Sequence, residues 1–182
     1  MSAIQLADVH KPALLVTKPG MLSLLQDEGR YGAFTVGLTN GGPLDKTAFH
    51  WANRLCGNEL NSTAIEVSIG GLAVVASADT IIAVTGATMP LTINGQEKEL
   101  WRSYVVKAGD SIVLGYANSG SRCYFAVYGG FIIPNSFGST ATVCRERVGG
   151  LDGKGNKLVV NDVLPFNTRN FNLEQTVKLL KL

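Results

Sequence analysis

The chain has 182 residues, 46% hydrophobic and 16% charged, with 21 glycines and six prolines. A single domain of this length buries roughly 70% of the surface its unfolded chain exposes, and the composition excludes disorder and a collagen-like repeat. Sixteen Lys and Arg against 14 Asp and Glu give a formal charge of +2 with no long block of like charge, which argues against a nucleic-acid-binding face.

Residues 1–12 read as an N-terminal extension without the charge, apolar run and cleavage site of a signal peptide. No stretch reads as a membrane span; the uncharged run 80–96 is broken by Thr, Gly, Pro and Asn. Cys56, Cys123 and Cys144 are odd in number and lack CxxC spacing. They suggest neither a disulfide framework nor a zinc site, and they fit a reducing, cytoplasmic setting.

From 13 to 166, short apolar runs separated by glycine or polar turn signals predict a mainly β barrel or sandwich. The expected strands are Ala13 to Thr17, Leu22 to Leu25, Ala64 to Ser68, Leu72 to Ala76, Thr80 to Thr85, Leu91 to Ile93, Ser103 to Val106, Ser111 to Leu114 and Cys123 to Tyr128. Asn94-Gly95 suits a two-residue type I′ hairpin, since both positions need positive φ. Glycine pairs at 41–42, 70–71, 129–130 and 149–150 offer corners and bulges, and closure of the sheet would remove its edges.

One helix is expected from about Leu44 to Cys56, where Ala48, Phe49, Ala52, Leu55 and Cys56 share a face and Gly57-Asn58 provides the stop. Pro43 suits the first turn, and Asp45 stands where a carboxylate caps the helix. Residues 167–182 form a tail: a polar linker, then Asn172-Leu173-Glu174-Gln175 as a capping box leading into a second short helix.

Several polar groups call for an explanation. With only His10 and His50 available, a Ser-His-Asp triad or a multi-histidine metal site has little support, and no metal is expected. Val148-Gly149-Gly150-Leu151-Asp152-Gly153-Lys154-Gly155 has the wrong spacing for a phosphate loop and reads as a turn. In Gln26-Asp27-Glu28-Gly29-Arg30-Tyr31-Gly32, Arg30 is either an anion clamp oriented by Asp27, with Gln26 offering donor and acceptor, or half of an exposed ion pair.

Asn40-Gly41-Gly42-Pro43-Leu44-Asp45 offers N–H groups to an anion, or Asp45 simply caps the helix. Asn53 lies two turns further on. Glu66, in the middle of the apolar run 64–68, is either solvent-facing or a paired inward carboxylate serving as anchor or acid/base. Arg122 is a strand-edge charge or a second anion contact.

Taken in order, Gln26-Asp27-x-Gly29-Arg30-x-Gly32, Gly41-Gly42-Pro43-Leu44-Asp45, Ala52-Asn53-x-Leu55-x-Gly57-Asn58 and Ala64-Ile65-Glu66 resemble one family. Gly70-Gly71, Thr85-Gly86-Ala87, Gly120-x-Arg122-x-Tyr124-Phe125-Ala126-Val127-x-Gly129-Gly130 and Phe137-Gly138-Ser139 continue the likeness, which spans about Leu14 to Pro165. The family is that of allophanate hydrolase subunit 2, which includes the carboxyltransferase-like C-type subunit of 5-oxoprolinase and is related to the carboxyltransferase region of urea carboxylase.

The resemblance implies a cyclophilin-like β-barrel with one or two short helices, here as the first of two lobes flanking a cleft. It implies a component of an ATP-dependent 5-oxoprolinase that opens 5-oxo-L-proline to L-glutamate with subunit-B-like and subunit-A-like partners, or with a second copy in a homo-oligomer. ATP would act through the complex. Asp27 and Glu66 are then the catalytic candidates, with Gln26, Arg30, Asp45, Asn53 and Arg122 binding substrate. More specifically, Arg30 and Arg122 would take a carboxylate or phosphate and Asn53 an amide.

Two other functions fit the resemblance: a non-catalytic regulator of a subunit-B-like, kinase-inhibitor-like protein, and a urea-amidolyase-type carboxyltransferase, the one reading that uses biotin. One departure is local. Where the family usually continues Arg-Ser-x-Asp after Gly138-Ser139, this chain has Thr140-Ala141-Thr142-Val143.

Overall fold

The computed structural model describes residues 11–168. The expected tail helix and most of the N-terminal extension lie outside the described residues. The fold is mainly β: strands β1 (Ala13–Pro19), β2 (Leu22–Gln26), β3 (Ala64–Ser68), β4 (Leu72–Ala76), β5 (Thr80–Thr88), β6 (Leu91–Ile93), β7 (Gln96–Lys98), β8 (Ser103–Val106), β9 (Ser111–Leu114), β10 (Ser119–Val127) and β11 (Val163–Pro165), with helix α1 (Lys46–Leu55) between β2 and β3. They form two antiparallel sheets, one of six strands in the order β11-β1-β4-β9-β6-β7 and one of five in the order β2-β3-β10-β5-β8. Packing between the sheets and the corners that join them closes the core, rather than a continuous ring of ladder bonds.

Three of those corners meet at one end. Between β1 and β2, β3 and β4, and β9 and β10 the chain changes sheet, and Met21 N–H donates to the Gly70 carbonyl while Ala117 N–H donates to that of Ile69. Gly70 has φ +110, and a Cβ there would overlap the Gly115 carbonyl oxygen. Only glycine fits. At the opposite extreme, the Asn94-Gly95 hairpin has φ 51 and 77, and nothing lies within 4 Å of a Cβ at Gly95.

The main core lies between the sheets and includes Leu14, Val16, Leu25, Ile65, Val67, Val74, Ile82, Val84, Phe125 and Leu164. A second cluster places Ala48, Phe49, Ala52 and Cys56 of α1 on Ala64, Ala83, Tyr124 and Ala126. Alanines on both sides let the helix approach closely, so the five-stranded sheet is buried on both faces. Side-chain alternation along β3 puts Ile65 and Val67 in the main core and Glu66 on the face under the helix.

The helix begins two residues later than Leu44 because Asp45 is its N-cap, in extended conformation, accepting from Ala48 N–H at 3.0 Å. Pro43 therefore precedes the cap. β7 and β11 were not expected. β7 has no apolar residue, and β11 is three residues long, recognisable only by its pairing with Ala13–Leu15.

Gly70→Ala is expected to lower unfolding stability by more than about 3 kcal/mol, against about 1 kcal/mol for Gly95→Ala, where only the φ penalty applies. Urea denaturation of both variants measures the difference.

Candidate functional site

The region around the start of α1 is organised by Glu66. Register pairs Tyr124 with Glu66 across β10 and β3, on the face that α1 covers. Glu66 is 6% exposed, and its Oε2 accepts from the Tyr124 hydroxyl at 2.7 Å and from Leu44 N–H at 2.9 Å. The same hydroxyl accepts from Asp45 N–H at 2.7 Å. Arg122, two residues from Tyr124 on the same strand face, brings Nε to 3.6 Å from Glu66 Oε1, an ion pair without a hydrogen bond. Thr85 adds a bond to the Ala48 carbonyl at 2.6 Å. A carboxylate, a phenol and a guanidinium thus converge on the first turn of the helix.

The solvent-facing reading of Glu66 is overturned: it is a buried, paired carboxylate that anchors the loop 41–45, on the sheet face under α1 rather than in the main core. Asp45 acts as the cap, with its own N–H bound to Tyr124.

The second half of the region joins the loop after β2 to residues 139–142. Gln26 Oε1 accepts from Gly42 N–H and its Nε2 donates to the Thr142 carbonyl, both at 3.1 Å. Asp27 accepts from Gly29 N–H at 2.9 Å, Thr140 N–H at 2.8 Å and the Ser139 hydroxyl. It makes no hydrogen bond to Arg30, so its expected role of gripping that guanidinium is replaced by tying two loops together. Its effect on Arg30 is through charge alone.

Arg30 is 1% exposed. Its Nη2 donates to the Ala141 carbonyl, whereas Nε and Nη1 are buried without a partner among the described residues. Burial lowers its pKa from the ordinary value, opposed by the charges of Asp27 and Glu146. Two glycines flank the guanidinium: a Cβ would stand 3.2 Å from Nη1 at Gly41 and 2.9 Å from Nη2 at Gly149. The exposed-ion-pair reading of Arg30 is therefore overturned.

Asn53 is fully buried, donating to the carbonyls of Leu60 at 3.3 Å and Ser62 at 2.8 Å and accepting from Asn58 at 3.0 Å. Its amide holds the loop after α1 instead of facing a ligand. His50 bonds Glu28 at 2.7 Å, linking α1 to the loop after β2. Sequence reasoning does not single out Tyr124, Ser139 or Gly149 as site residues; in the apolar strand 123–127 Tyr124 reads as core, and only cross-strand register reveals its partner. Among the described residues no group of three or more His, Cys, Asp or Glu is placed to hold a metal ion, and no helix is long and apolar enough to cross a membrane.

Residues 36–181 match the family described as carboxyltransferase domain, subdomain A and B. The chain belongs to this carboxyltransferase domain family. It is 37% identical over 163 residues to urea amidolyase of Saccharomyces cerevisiae, covering 89% of this chain and 9% of that protein. It is 34% identical over 143 residues to the C-type subunit of 5-oxoprolinase from Escherichia coli, covering 78% of this chain and 46% of that one. The crystal structure of Kluyveromyces lactis urea carboxylase superposes with a TM-score of 0.83 at 34% identity, covering 88% of this chain and 14% of that chain. The chain thus spans less than half of the bacterial oxoprolinase relative and about a tenth of the yeast enzyme.

Three buried groups predict the alkaline behaviour of the chain. Burial raises the Cys123 thiol from 9.0 to about 12 and raises Cys56 further. Burial, with Glu66 adding to it and the Asp45 N–H opposing, also raises the Tyr124 hydroxyl. These groups keep their protons in the folded state while the unfolded chain releases its own from about pH 9 upward. The unfolded state then binds fewer protons, so stability is expected to be intact below about pH 9 and to fall as pH rises toward 12. Tyr124→Phe is expected to cost about 1 kcal/mol at pH 7 and to make the decline above pH 10 shallower, measured by urea titrations across pH.

Proposed function

We propose that this chain is a component of an ATP-dependent 5-oxoprolinase in the cytoplasm, equivalent to part of the C-type subunit and acting with subunit-B-like and subunit-A-like partners. The observation that carries the reading is Arg30: a buried guanidinium with two unpartnered nitrogens, flanked by Gly41 and Gly149, suits the carboxylate of 5-oxoproline. A buried cation lacking acceptors is costly unless an anion completes it. Arg122 supplies a second, partly exposed cation beside Glu66.

In this reading Asp27 and Gln26 hold the Arg30 loop against 139–142. Glu66 fixes Tyr124 and the start of α1, leaving Oε1 toward Arg122 as the acceptor nearest a bound substrate. Asp45 keeps the loop 41–45 in place through its cap. The sequence contains no Walker loop, so the reading assigns ATP to a partner. ATP supplies the activation that an unstrained lactam lacks.

A second reading, a urea-amidolyase-type carboxyltransferase receiving a carboxyl group from biotin, draws on the 37% identity to the yeast urea amidolyase. Arg30 would then hold the carboxyl group in transit.

The test is reconstitution with A-type and B-type subunits, followed by 5-oxoproline-dependent ATP hydrolysis. Arg30→Met, which keeps most of the packing volume but removes the charge, is expected to lower turnover by about 100-fold or more with partner binding retained. A complex that assembles without any turnover overturns the enzyme reading and supports a regulatory partner. Biotin-dependent carboxylation of urea in place of lactam-driven ATP hydrolysis supports the second reading.

A further inference from the structure

The turn that carries Cys144, Arg147 and residues 154–157 is a polar feature that neither functional reading uses. The chain turns back at the bridge between Val143 and Val148, and Gly149 then pairs with Lys154 in parallel. A cavity of ≈ 530 Å³ opens there, lined by Cys144, Arg147, Lys154, Gly155, Asn156 and Lys157. Half of the lining residues are cationic, and none is acidic.

Backbone packing holds these cations together. Arg147 has φ 55, and a Cβ at Gly155 would stand 2.8 Å from its Cα and 2.6 Å from both Val148 N and the Val143 carbonyl oxygen. The backbone at Gly155 therefore lies directly on that of Arg147, which brings the stems of Lys154 and Arg147 to one side of the turn. Two acids lie close by in sequence, and Asp152 feels the Lys154 charge without forming an ion pair with it. Asp152 accepts from Lys154 N–H and from the Asn156 side chain, and Glu146 takes the Arg145 guanidinium and the Thr39 hydroxyl. Among the described residues Arg147, Lys154 and Lys157 enter no ion pair.

We propose that this cavity binds a phosphoryl dianion, either free phosphate or the terminal phosphate of a small metabolite. Three cations lining one cavity exceed what a single carboxylate needs, and Arg147 offers a planar fork while the two lysines act as point charges. The volume is within the range of small-ligand sites and larger than phosphate alone requires. The glycine-rich string 148–155 thus contributes Lys154 to a cation cluster, without the geometry of a phosphate loop. The inference is independent of the activity proposed above.

Cys144 provides the readout. It is exposed at the cavity, whereas Cys56 and Cys123 are buried, so a neutral thiol reagent reports on this one position. The full chain is treated with iodoacetamide in inorganic phosphate, in glycerol phosphate, and in sodium chloride of equal ionic strength. Saturable protection approaching about tenfold at tenfold excess over the midpoint is expected with phosphate compounds and not with chloride. Protection by both compounds identifies phosphate as sufficient; protection by the ester alone assigns the site to a phosphorylated metabolite. Lys154→Gln combined with Arg147→Ser, both exposed positions, is expected to abolish protection with the circular dichroism spectrum unchanged. Equal slowing by chloride, or protection that survives in the double variant, overturns the proposal.

Discussion

Burying a carboxylate beneath a helix is unfavourable by several kcal/mol unless donors meet its oxygens, and Glu66 meets that condition by organising its surroundings. One oxygen takes the Tyr124 hydroxyl and the Leu44 N–H, and the other faces Arg122. Because Tyr124 also receives the Asp45 N–H, the residue that caps α1 is fixed from below by the sheet. The place where α1 begins, the path of the glycine loop before it and the orientation of Arg122 all follow from this one buried group. The interaction exists because the five-stranded sheet is covered on both faces, by the six-stranded sheet on one side and α1 on the other.

The same economy governs the loop after β2. Residues 139–142 run along the free edge of β2, where Thr142 bonds the Leu25 carbonyl through both its N–H and its hydroxyl. An otherwise open edge is covered in this way. Most contacts from 140–142 use backbone atoms: the Thr140 N–H, the Ala141 carbonyl and the Thr142 carbonyl. The stitching by 140–142 therefore depends little on which side chains stand there. The Arg30 guanidinium is buried there with two nitrogens lacking acceptors among the described residues, in the field of Asp27 and Glu146.

Positive charge takes two physical forms in the molecule. Arg30 is desolvated and barely screened by salt, so an anion reaching it would be held strongly. The cluster of Arg147, Lys154 and Lys157 is solvated at an open cavity, where attraction weakens as ionic strength rises. Backbone geometry contributes to both: glycines at 41 and 149 let the chain pack directly against Arg30, and Gly155 lets the backbone after Lys154 lie on that of Arg147.

Composition and periodicity determined the mainly β class, the positions of most strands, the Asn94-Gly95 hairpin and the capped helix, because these depend on residues close in sequence. They also identified the polar segments around 26–30, 41–45 and 66. The tertiary structure alone decided what those segments touch. Glu66 meets Tyr124 through a strand pairing 58 residues away, and Asp27 meets Ser139 across 112 residues. Asn53, which reads as a possible substrate contact, proves to hold its own loop. Local sequence sets which conformations are cheap; which buried polar groups find each other is set by the pairing of distant strands, and that is a property of the whole fold.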